Sequence, residues 1–160
     1  AGEYILVVED DFPLCKDAME NLLNRIIESE QLERKKKSTP CGLFIGTGGS
    51  GFLLRRDSGL EEIIHYMKNL DMETIKTTPH DVLMQNCLLS PKNECYKCRN
   101  RWYMVDSLYI YHTGWLHSTR GVWYPRHKWQ CGWMNPLLPD VPASNALVTY
   151  RSWGDLFMLR

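Results

Sequence analysis

The chain lacks any apolar run of 18 residues, so none of its 160 residues form a stretch that would cross a bilayer as a helix. It also lacks a charge bias. Nineteen Lys and Arg balance nineteen Asp and Glu, so no overall field draws it to nucleic acid or a lipid surface. Function must then rest on local clusters. The phosphate-binding pattern GxxxxGK[ST] is missing, which removes the P-loop. There is no internal repeat, no second CxxC and no CxxH. A zinc site at Cys95-Tyr96-Lys97-Cys98 would have to borrow Cys87, Cys131 or a histidine. Neither an initiator Met nor a signal peptide opens the chain, and the first residues already read as a strand. The expectation is a fragment of a longer protein, any membrane anchor lying upstream.

At this length the chain fits one domain with a real core. The six cysteines, Cys15, Cys41, Cys87, Cys95, Cys98 and Cys131, are an even count that permits three disulfides and favours a secreted or lumenal compartment. All six tryptophans fall after residue 100, which divides a Leu/Ile-rich front from a Trp/Tyr-rich back.

Residues 3–8 read as a buried strand of the parallel-sheet kind, and it runs into Glu9-Asp10-Asp11. Carboxylates at the carboxyl end of a strand are hard oxygen ligands where open α/β sheets bind ligands. The same acids would also suit a helix N-terminus. From Pro13 to about Glu33, Leu14, Ala18, Leu22, Ile26 and Ile27 recur at helical spacing, and a basic loop follows from Arg34 to Pro40. Two apolar runs then flank Gly46-Thr47-Gly48-Gly49-Ser50-Gly51, more glycine than a tight turn needs, which points to a substrate-facing loop. A helix over about 58–69 is expected from Leu60, Ile63, Ile64 and Met67, and another from Pro79 to about Leu89. Asp81 sits in its first turn, either serving the helix dipole or projecting into a cleft. Residues 102–112 alternate toward strand character and end at His112-Thr113-Gly114. The segment 123–133 mixes Trp, Tyr, Arg, His and Lys, a composition that stacks on sugars or bases, or packs as a lid.

Four pieces thus stand in order: the strand into Glu9-Asp10-Asp11, the glycine segment, Pro79-His80-Asp81, and His112-Thr113-Gly114. This succession resembles the GT-A-fold glycosyltransferases. The nearest likeness is to two groups of Golgi enzymes: the N-acetylglucosaminyltransferases of the transferase IV type, and the GPI-glycan N-acetylgalactosaminyltransferases with their fungal relatives. The glycine segment with Phe52 also looks like that of Fringe-type β1,3-transferases. The resemblance spans about residues 4–120. It implies an α/β fold, the C-terminal part of a GT-A (Rossmann-like) domain with a mixed sheet and flanking helices. Residues 1–122 would be a partial catalytic domain without the upstream uridine-holding strands, and 123–160 a Trp/Cys-rich extension.

The resemblance further implies a metal-dependent transfer of a sugar, a HexNAc, from a UDP-sugar to a glycan acceptor in the Golgi or ER lumen. Asp11 and His112 would hold Mn²⁺ or Mg²⁺. Glu9 and Asp10 would bind the donor, Gly48, Gly49 and Ser50 would line the donor and acceptor side, and Asp81 would be the catalytic base. No nucleic acid is expected as partner. The rival expectation is a non-catalytic Cys/Trp-rich module that binds glycan or protein, with or without a zinc staple.

Overall fold

The computed structural model describes residues 3–46, 50–89, 95–98, 100–105, 107–113, 130–132 and 147–149. It is a small α/β domain built on a mixed sheet. Strands β1 (Tyr4–Val7), β2 (Gly42–Phe44), β3 (Phe52–Arg55) and β4 (Trp102–Val105) form its body, and a short β5 (Leu147–Thr149) adds to β4, giving the order β1-β3-β2-β4-β5. β3 is antiparallel to both β1 and β2, while β2 and β4 are parallel. Strands β1, β2 and β4 therefore point the same way, and their carboxyl ends share one end of the sheet.

Period-two alternation sorts the strand residues into two cores. Phe44, Phe52, Leu54, Trp102 and Met104 pack with Ile63, Tyr66, Leu83 and Cys87 on one face. Leu43, Ile45, Leu53, Tyr103 and Val105 pack with Phe12, Ala18 and Leu22 on the other. Because β2, β3 and β4 are covered on both faces, they read as continuous apolar runs. Helix α1 (Ala18–Lys35) covers the second face, and α2 (Glu61–Asn69) with α4 (His80–Leu89) covers the first. A π-helical turn, Arg56–Leu60, leads from β3 into α2, and a short α3 (Met72–Thr77) precedes α4.

Three expectations are corrected here. The first strand is not a parallel strand of the sheet interior. It lies at the sheet edge, antiparallel to β3, with Ile5 exposed. The first helix starts at Ala18 rather than Pro13, because Leu14 bridges Ile110 and the Cys15 N–H donates to the Tyr109 carbonyl. Asp17 then turns the chain with a left-handed φ of 61°. The late strand is shorter than 102–112: β4 ends at Val105, and Ile110 pairs with Leu14 in an isolated bridge. Helix α3 was not foreseen. Its signal is local, since the Asp71 carboxylate accepts from the Thr74 N–H at 2.8 Å as a helix cap.

Cys15–Cys131, Cys41–Cys98 and Cys87–Cys95 are disulfides, so no cysteine is free. A zinc staple at Cys95 and Cys98 is thereby excluded, because a disulfide sulfur is not the thiolate that zinc requires. Three disulfides suggest an extracellular or secretory-pathway protein. Among the described residues no helix is long and apolar enough to cross a membrane. The division expected at residue 122, and nearly all of 123–160, lie outside the described residues.

Candidate functional site

The acids that end β1 do not start a helix. The Phe12 N–H donates to the Glu9 carbonyl at 3.1 Å, so Glu9 to Phe12 form a turn. From there residues 11–15 run antiparallel to 109–113: Thr113 N–H donates to Asp11 O, Tyr111 N–H to Pro13 O, and Cys15 N–H to Tyr109 O. The Thr113 hydroxyl adds a second donation to the Asp11 carbonyl at 3.0 Å. This ladder brings together two side chains 101 residues apart, with His112 Nε2 lying 3.0 Å from Asp11 Oδ2. The Phe12 ring packs against the imidazole at 4.6 Å between centroids.

The glycine segment closes the same end. Ser50 is buried, and its hydroxyl accepts the Glu9 N–H at 3.0 Å. It therefore holds the acid turn in place. Gly51 has a φ of 91°, and a Cβ there would sit 2.8 Å from both the Gly46 nitrogen and the Ile110 side chain. A Cβ on Gly46 would meet Ile110 and the Ser50 carbonyl, each at 2.4 Å. Two glycines of the segment are thus required by close backbone packing. Gly48 and Gly49 lie outside the described residues.

Asp81 stands in the first turn of α4, where it suits the helix dipole, and its charge also acts on Glu9. The Glu9 carboxyl is held above its ordinary value, first by partial desolvation and then by the negative charges of Asp81, Asp11 and Asp10. Asp10 is exposed at the turn. Glu9, Asp10, Asp11 and His112 therefore lie at the carboxyl end of β1, beside the buried Ser50, and the charge of Asp81 reaches Glu9. The sequence drew no attention to Phe12, although it adjoins Asp11, whereas Thr113 stands within the flagged His112-Thr113-Gly114.

The facing atoms of Asp11 and His112 are the ones a divalent ion uses. Adjacent donors of an octahedral ion with bonds of about 2.1 Å lie about 3 Å apart, which matches their separation. One carboxylate oxygen with one imidazole nitrogen is a mixed set that suits Mn²⁺ better than Ca²⁺. Among the described residues no group of three or more His, Cys, Asp or Glu is placed to hold a metal ion, so Asp11 and His112 are at most two ligands. A cation held here would take its remaining ligands from a bound substrate and water. Compared with protein-family models, with curated proteins and with solved structures, the chain gives no significant match in any of the three.

Proposed function

We propose that this chain carries the catalytic part of a metal-dependent glycosyltransferase of GT-A type, moving a HexNAc from a UDP-sugar to a glycan in the Golgi or ER lumen. The observation that carries the reading is the 3.0 Å approach of Asp11 Oδ2 to His112 Nε2 at the carboxyl end of β1. The nearness of Asp81 to Glu9 supports it, since the enzyme reading requires the acids and the histidine to converge. The binding-module reading expects instead that the cysteines and tryptophans cluster and the acids face water.

Asp11 and His112 would hold Mn²⁺ or Mg²⁺, which neutralises charge developing on a departing diphosphate. Glu9 and Asp10 would accept hydroxyl hydrogens from the donor's ribose. The Asp81 carboxylate would take the proton of the attacking acceptor hydroxyl, as an inverting transfer requires. Ser50 and Thr113 fix the backbone of the acid turn, so the ligand atoms are placed before substrate arrives.

Calorimetry with UDP, with and without Mn²⁺, tests the reading. Metal-dependent heat that vanishes in Asp11→Ala is the expected result. UDP binding that ignores both Mn²⁺ and Asp11→Ala removes the ligand assignment.

A further inference from the structure

At the other end of the sheet, away from Asp11 and His112, lies a groove of about 340 Å³. It opens between the π-helical turn after β3, the first turns of α2 and the residues that lead into β4. Its volume is near the lower limit of small-molecule sites, which span about 300–1,000 Å³. The walls are already braced. Lys97 Nζ lies 3.1 Å from Glu62 Oε1, and the Glu62 side chain is only 7 % exposed. Arg101 Nε donates to the Lys97 carbonyl at 2.8 Å, and the Ser58 hydroxyl donates to the Pro40 carbonyl. The Cys41–Cys98 disulfide ties the start of β2 to the turn that carries Lys97.

The lining selects its ligand by exclusion. Every described lining residue is polar or charged, so an apolar ligand gains little there. An anion drawn to Lys97 and Arg101 would meet Asp57, Glu61 and Glu62, and like charges brought together are costly. A bare divalent ion has no cage, since among the described residues no group of three or more candidate ligands is arranged for one. A zwitterion needs its two charges met separately, yet Lys97 is already paired with Glu62 among the acids here.

A neutral ligand with many hydroxyls fits all of these conditions, because each hydroxyl donates to a carboxylate and accepts from Lys or Arg. Tyr96 adjoins Lys97 on the same turn and is 69 % exposed, an amphipathic side chain next in sequence to the lining.

We propose that this groove binds a neutral saccharide unit of a glycan, at a site separate from Asp11 and His112. The inference does not rest on the transferase reading. It is tested on the whole chain by following ¹⁵N-amide shifts during titration with the methyl glycosides of N-acetylglucosamine, galactose and mannose. At least one of the three is expected to move the amides of Glu62, Lys97 and Arg101, saturating in the millimolar range. Tyr96→Ala changes an exposed side chain, and because Lys97 pairs with the buried Glu62, the amide spectrum of Lys97→Ala checks that its fold is kept. Each is expected to weaken that binding by about tenfold, the loss of one good contact. Asp11→Ala is expected to leave it unchanged. Three outcomes overturn the proposal: no glycoside moves these amides, the shifts persist undiminished in both surface variants, or Asp11→Ala abolishes them.

Discussion

Asp11 and His112 show how little of a site depends on the two side chains alone. Their approach is set by main-chain hydrogen bonds between 11–15 and 109–113, and the Thr113 hydroxyl adds one more. Asp81 is held differently, by its place in the first turn of α4. Asp81→Asn keeps the shape and the helix N-terminus while removing the proton acceptor that the proposed transfer assigns to Asp81. Turnover is expected to fall about 10²–10⁴-fold, the usual contribution of general-base catalysis, with UDP affinity unchanged. Weakened UDP binding in that variant would move Asp81 from base to donor site.

A second residue-scale case lies far from this site. Glu33 is fully buried and accepts from the Tyr103 hydroxyl, the Ser38 hydroxyl and Lys36 Nζ. Burial alone would raise its carboxyl, but these donors together hold it below its ordinary value. The Tyr103 phenol is in turn pushed up to about 12 by burial and by Glu33. Because the folded carboxyl is depressed, its stabilisation is present above the unfolded value of about 4.3 and is lost as pH falls through the lower folded value. Glu33→Gln is expected to cost about 1–3 kcal/mol at neutral pH, as the donors lose their charged acceptor. In urea denaturation from pH 7 to pH 3, the gap between the two proteins should narrow below about pH 4. A gap that stays constant with pH would mean that packing, not charge, sets the cost.

At the scale of elements, the sequence was most legible where a pattern is local. α4 begins where Pro79 and Asp81 suggest, and the glycine segment does separate two paired strands. Pairing partners were not legible. An edge strand and an interior strand both appear as a short apolar run, and only β3 lying beside β1 decides between them. Leu14 misled in the same way, since its helical spacing to Ala18 is real but its bridge to Ile110 is tertiary. For the site, residue type picked out Asp11, Asp81 and His112, whereas the inward turn of Ser50 depends on Glu9 arriving beside it. The hairpin offers a direct test of its glycine. Gly51→Ala places a Cβ at a left-handed φ and against the Gly46 backbone, so a loss of about 1–3 kcal/mol is expected by thermal denaturation. An unchanged melting temperature would show that the 46–51 segment has room to shift.

The described residues form a sheet with helices packed on both faces, and the disulfides join distant parts of the chain. Cys15–Cys131 spans 116 residues, Cys41–Cys98 spans 57 and Cys87–Cys95 only 8. If each acts mainly by restricting the unfolded chain, the longest loop contributes most, about 5 kcal/mol, and the shortest less than about 3 kcal/mol. Domain stabilities are about 5–15 kcal/mol, so loss of the first bridge would remove a large share. That bridge also fastens Cys15, within the segment that positions Asp11, to Cys131 next to Gly132, whose N–H donates to Leu108. Replacing Cys15 and Cys131 by Ser is therefore expected to lower the urea midpoint furthest and to weaken Mn²⁺ binding as well. Replacing Cys87 and Cys95 should lower the midpoint least. The reverse order would place the stabilisation in native packing around the buried Cys87 and Cys95, both in the core beneath α2 and α4, rather than in chain entropy.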